Sequence, residues 1–177
     1  MNFDKLFLET MGEPINYNYE TLIRLDKLNV ECEFSGIVRL ISTSSKWRQG
    51  VELRTDSVLI INNTSGKIMT LWEDFLQFDI PFYGKTNNGL LSVNNIWDFG
   101  KGVTESWSNG AAMKKIEIDH NHYRYCCNDF EPDEDFDDIV FDIILDEMPD
   151  ENKKLDYKAE KRCVTGDGSV SRLNCKS

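Results

Sequence analysis

Lysine and arginine are absent from Asn128–Asn152, although the 177-residue chain carries 20 of them. That stretch holds 12 acids: Asp129, Glu131, Asp133, Glu134, Asp135, Asp137, Asp138, Asp142, Asp146, Glu147, Asp150 and Glu151. Outside it, 19 acids face 20 bases, so the net charge of −11 belongs almost entirely to one segment. A surface that tracks phosphates needs clustered Lys and Arg, so nucleic acid is an unfavourable partner. An anionic membrane surface is unfavourable for the same reason. If the charge has a partner, that partner is basic.

Other absences narrow the chemistry. There are only two histidines, His120 and His122, so a His-based zinc centre has little to draw on. The run His120-Asn121-His122 spells a nuclease motif, but that motif's residues are dispersed over a ββα unit. Consecutive as they are, these read as turn residues of a hairpin. The chain has no phosphate-binding loop, dinucleotide fingerprint or nucleophile elbow. Five cysteines (Cys32, Cys126, Cys127, Cys163, Cys175) are odd in number and form no C-x-x-C pair, which points to reduced structural thiols. Adjacent Cys126 and Cys127 face opposite ways on a strand and cannot jointly hold one metal. An EF-hand reading of the acidic run fails: with position 1 at Asp129, position 6 is Glu134 rather than Gly. No catalytic residue, metal ligand or cofactor is assigned. No apolar run reaches the ~18 residues of a membrane helix. The start, Met1-Asn2-Phe3-Asp4-Lys5, lacks the basic and apolar regions of a signal peptide, so the expected compartment is the cytoplasm.

What is present is a series of short β-like runs. Asn29–Phe34 alternates, with Val30, Cys32 and Phe34 on one side. Gly36–Ile41 is more continuously apolar. Ser57–Ile61, the cluster Asn62-Asn63-Thr64-Ser65-Gly66 and Lys67–Thr70 read as a hairpin. Thr70-Leu71-Trp72-Glu73 fits a capping box, which predicts a short helix over Leu71–Phe78 with Leu71, Trp72, Phe75 and Phe78 in the core. Pro81 ends it. Tyr83–Gly89 reads as an exposed loop, and Asn109-Gly110 as a tight-turn pair. Lys114–Asp119 and His122–Cys127 form a second hairpin, with Ile116 and Ile118 on one side, and Tyr123 and Tyr125 on one face. Asn128–Asp138 is expected to be an exposed loop. Ile139–Leu145 fits a strand (Ile139, Phe141, Ile143, Leu145) better than a helix. Lys154–Val164 is read as a further strand. The predicted architecture is one α+β domain over residues 1–164, a mostly antiparallel sheet built from hairpins with one or few short helices, and a polar tail over 165–177.

Twelve unbalanced carboxylates repel one another, and a Lys/Arg-rich partner relieves that repulsion while being steered in by it. The candidate partner-binding residues are Asp129, Phe130, Glu131, Asp133, Glu134, Asp135, Asp137 and Asp138. Phe130, Phe136 and Phe141 are apolar anchors among the charges.

Three segments carry a family resemblance: Tyr19–Leu25, Val30–Phe34 and Leu71–Phe78. They resemble the CdiI immunity proteins of bacterial contact-dependent growth inhibition, in particular the group that neutralises nuclease toxins, over residues 15–145. The resemblance implies a non-enzymatic antitoxin in a tight one-to-one complex with the toxin domain at the end of a CdiA-type effector. Some members of that group receive a toxin β-hairpin on a sheet edge. Two other readings stand beside it: a metal-dependent enzyme using Asp/Glu ligands, and an acidic nucleic-acid mimic that inhibits a DNA-binding protein.

Overall fold

The computed structural model describes residues 1–75 and 79–147. One helix, α1 (Phe3–Glu9), precedes eleven strands: β1 (Ile15–Tyr17), β2 (Glu20–Ile23), β3 (Asp26–Asn29), β4 (Glu33–Thr43), β5 (Arg48–Ile61), β6 (Thr64–Trp72), β7 (Ile80–Lys85), β8 (Leu90–Asp98), β9 (Ala112–Asp119), β10 (His122–Asn128) and β11 (Ile139–Leu145). These elements belong to the compact unit Met1–Asp146. The expected strand at Lys154–Val164 and the tail at 165–177 lie outside the described residues. No described helix is long and apolar enough to cross a membrane.

All strand pairings are antiparallel, in the order β1-β2-β9-β10-β11-β4-β7-β5-β8-β3, with β6 on the other side of β5. The fold class is as the hairpin pattern predicts. The long strand β5 organises it. Its first half, Arg48–Arg54, pairs with β8, and its second half, Val58–Ile61, pairs with β7. At the handover Asp56 accepts hydrogen bonds from Thr86 Oγ1 and Asn87 N–H, both at 2.9 Å. The Asn87 N–H leads the interactions that hold its carboxyl below the usual range. The sheet thereby folds over itself. Leu28, Val51, Leu53, Leu91 and Val93 from one part share a single core with Val38, Met113, Tyr125, Cys127, Phe141 and Ile143 from the other. Tyr125 stacks on Phe141 (ring centroids 5.0 Å) and donates its hydroxyl to Asp26 at 2.6 Å, linking β10 to β3.

A second, smaller core lies under α1. Asn2 caps the helix by accepting the Lys5 N–H, and Phe3 and Phe7, one turn apart, are fully buried. They pack with Ile15, Leu22, Ala112 and Phe136. Cys127 enters the main core while Cys126 packs against this one, as opposite strand faces require.

Several expectations are corrected. The helix predicted over Leu71–Phe78 does not form where the structure describes it: β6 continues to Trp72, and a turn follows. Glu73 does not cap Thr70; its carboxylate accepts the Gln49 N–H and its own N–H donates to Gln49 O. Pairing with β5 overrides the local capping pattern. Leu71 is core, Phe75 is exposed, and Phe78 is outside the described residues. The alternating run Asn29–Phe34 is split, because the chain crosses there from β3 beside β8 to β4 beside β7. Cys32 is accordingly exposed. Tyr83–Lys85 is strand rather than loop, with Gly84 buried. Ile116 and Ile118 do share a face, but it is the solvent face. Asn109-Gly110 joins β8 to β9, which are not sheet neighbours. The Asn62-Asn63 turn, in contrast, is a two-residue hairpin with both residues at positive φ (50° and 64°).

Gly84 in β7 sits opposite Phe34 in β4, and a Cβ at Gly84 would collide with the Phe34 ring. The ring covers the missing side chain. Gly84→Ala is expected to cost about 1–3 kcal/mol by overpacking, and Phe34→Leu in the same chain to recover part of that. Urea midpoints of the two single variants and the double variant check the coupling.

Candidate functional site

Residues 129–138 connect β10 to β11, which pair directly below them at Cys127↔Ile139. This is the acidic loop, and it is anchored rather than free. Phe136 is 4% exposed and packs with Phe3 of α1 (centroids 6.0 Å), while its N–H donates to Asn128 Oδ1 at 2.6 Å. Lys114 Nζ stands 4.0 Å from the centroid of the same ring. Glu134 and Phe136 hold φ of 69° and 58°, a conformation costly for side chains of this size. The anchoring contacts offset that strain.

The structure places the eight candidate residues in three different situations. Asp129 and Asp138 are buried, contrary to the exposed loop expected from charge. A buried carboxylate needs hydrogen-bond donors, and Asp129 has three: Ser45 Oγ (2.6 Å), Gln49 Nε2 (2.8 Å) and the Glu131 N–H (2.9 Å). Asp138 accepts the Asp129 N–H at 2.8 Å. Both act as internal fasteners, and Asp129 ties the loop to the β4–β5 connection. Glu131, Glu134 and Phe130 are engaged by other parts of the chain. Lys46 pairs with Glu131 at 2.8 Å. The Met1 amino group (3.0 Å) and the Tyr17 hydroxyl (2.9 Å) both reach Glu134. Phe130 packs edge-on against Phe99, and its carbonyl accepts from Asn109 Nδ2 and the Gly110 N–H. The remaining three, Asp133, Asp135 and Asp137, are exposed, and among the described residues no cation lies within ion-pair distance of them.

Their carboxylates are crowded. Oxygens of Asp133, Asp135 and Asp138 all lie within 4.8 Å of one another, the one such group of potential ligands among the described residues. The EF-hand template misses it because the spacing is D-x-D-x-x-D. Partial burial and then the charge of Asp135 raise both Asp133 and Asp137 above the usual range. Asp138 is raised to about 7, first by burial and then by Asp129, Asp133 and Asp135, against the Asp129 N–H that favours its charge.

Asp142 belongs to the acidic stretch but not to this site. Buried on the strand face opposite Phe141 and Ile143, it receives Arg124 through two nitrogens (2.8 and 3.0 Å) and lies 2.7 Å from His122 Nε2. Burial pushes its carboxyl up, but Arg124 and His122 more than offset this and leave it below the usual range. Arg39, opposite Asp142 in the ladder, makes a two-nitrogen pair with Asp79. His122 is therefore a strand residue, as the run His122–Cys127 predicts, within hydrogen-bond distance of Asp142, and only His120 is left in the turn. The strand period places 122 and 124 on one face, but the partner strand is visible only in the fold.

The chain matches no protein-family model, no curated protein and no solved structure.

Asp138 gives a pH signature. Its folded pKa lies above the unfolded value, so the folded state holds its proton more tightly, and this stabilisation fades as pH rises from about 4 to about 7. Asp138→Asn mimics the protonated form. Its urea midpoint is expected to gain on that of the unsubstituted chain as pH rises from about 4 to about 7. A difference that does not change with pH would contradict the assignment.

Proposed function

We propose that this chain is an immunity-type binding protein that neutralises a basic toxin domain of the nuclease class, in a one-to-one complex, within the cytoplasm. The observation that carries the reading is the trio Asp133, Asp135 and Asp137: exposed, without a cation among the described residues, and presented on a loop fastened at both ends and at Phe136. Mutual repulsion makes this trio costly alone and attractive to a Lys/Arg-bearing surface. Fastening the loop beforehand reduces the ordering cost of binding. The resemblance to CdiI proteins supplies the class of partner, the toxin domain at the end of a CdiA-type effector. Strand β6, paired only with β5 among the described strands, is the alternative docking edge, by strand addition, should the loop not be the contact surface. Carboxylates gathered within a few ångströms do not resemble the extended spacing of a phosphate backbone, which counts against the nucleic-acid-mimic reading.

Co-expression with the toxic C-terminal domain of an adjacent CdiA-type effector tests the class: the chain should restore growth, and lack of protection would refute it. With the purified pair, reversing Asp133, Asp135 and Asp137 to Lys is expected to slow association by about 10–100-fold at low salt, with a much smaller change in dissociation. An unchanged association rate would move the docking surface away from the loop.

A further inference from the structure

Three aromatic rings run beside the acidic loop. Trp47, in the connection between β4 and β5, meets Phe99 edge-on (centroids 4.8 Å, planes at 89°). Phe99, just after β8, meets Phe130 edge-on in turn (5.3 Å, 88°). The chain bearing the row is fastened to the loop by one hydroxyl: Ser45 Oγ accepts the Trp47 backbone N–H at 3.0 Å and donates to Asp129 at 2.6 Å. Trp47 and Phe99 are half-buried and Phe130 is exposed.

A cation already sits at the end of this row. Lys46 Nζ lies 4.9 Å from the Trp47 ring centroid and 2.8 Å from Glu131 Oε1. Its side chain is 63% exposed, so the ammonium can leave into solvent. An indole face opposite a carboxylate is a bracket for a positive charge. A guanidinium suits it better than an ammonium, because its plane stacks on the indole while its edge donates two parallel bonds to the carboxylate.

We propose that the Trp47 ring and the Glu131 carboxylate form a docking bracket for an arginine side chain of a basic protein partner, with Lys46 as its occupant in the free chain. This rests on the binding reading above and adds to it a named pocket and a preferred side chain. The Asp133, Asp135 and Asp137 carboxylates attract the basic segment. The Trp47–Phe99–Phe130 row gives its anchor an apolar wall, the combination common at binding hot spots. Arrival of the partner's arginine displaces Lys46 into solvent.

The test uses the full chain and hexa-arginine, hexa-lysine and hexa-citrulline peptides, with binding read by calorimetry and by tryptophan fluorescence. Lys46→Gln vacates the bracket, and Lys67→Gln on β6 matches its change in charge. Lys46→Gln should raise the preference for hexa-arginine over hexa-lysine by about 3–10-fold, while Lys67→Gln leaves that preference unchanged. Hexa-citrulline should not bind. Trp47→Leu should remove the preference while both cationic peptides still bind. If Lys46→Gln strengthens both peptides equally, attraction is merely electrostatic and the bracket is refuted. Should Trp47→Leu fail to fold, the Lys46→Gln ratio decides alone. An arginine preference in a chain that protects against no toxin would uphold the bracket and refute the immunity reading. Protection without any arginine preference would do the reverse.

Discussion

A carboxylate removed from water must find donors within the protein or give up its charge, and Asp129 meets that demand at the point where the acidic loop leaves the sheet. It gathers Ser45, Gln49 and the Glu131 N–H onto one side chain, while its own N–H is taken by Asp138. These contacts fix where the loop starts, set the β4–β5 connection beside it, and place Trp47 against the aromatic row. Unpairing a buried group of this kind leaves several partners unsatisfied at once. The loop's form, the exposure of its three free acids and the position of Lys46 all follow from that fastening.

The fastening depends on the path of β5. Because β5 is shared by β7 and β8 at successive halves, the sheet folds back over itself and brings Gln49, at one end of β5, beneath a loop that belongs to β10 and β11. Asn95 of β8 adds a bond to the Asn128 carbonyl at 3.0 Å at the same end of the core. A single bent strand thus converts a set of hairpins into a body with an interior, and the acidic loop sits on the rim of that interior.

The sequence made some of this legible. The residue pattern located β9, β10 and β11, and the turn cluster Asn62–Gly66 located the β5–β6 hairpin, although the turn itself is only Asn62-Asn63 and β6 already begins at Thr64. The helix did not emerge: Phe3 and Phe7 are one turn's worth of pattern, and the capping box at Thr70 is a stronger local signal that strand pairing overrides. The acidic loop was found by composition, but its inner structure was not. Which of its acids are fasteners and which are free depends on donors supplied from residues 45, 46 and 49 and from the N-terminus, and no local pattern announces them. Of the acids without a neighbouring base in sequence, those among the described residues are partly matched in three dimensions by Lys46, Arg124 and the amino terminus.

What remains exposed and without an ion-pair partner among the described residues is well placed: three carboxylates on an anchored loop, beside an aromatic row. The most direct test is amide hydrogen exchange on the chain alone and bound to the cognate toxin domain. New protection is expected across residues 130–137 and 44–47 on binding, with the edge of β6 unchanged. Protection confined to β6, with the acidic loop exchanging as in the free chain, would contradict it.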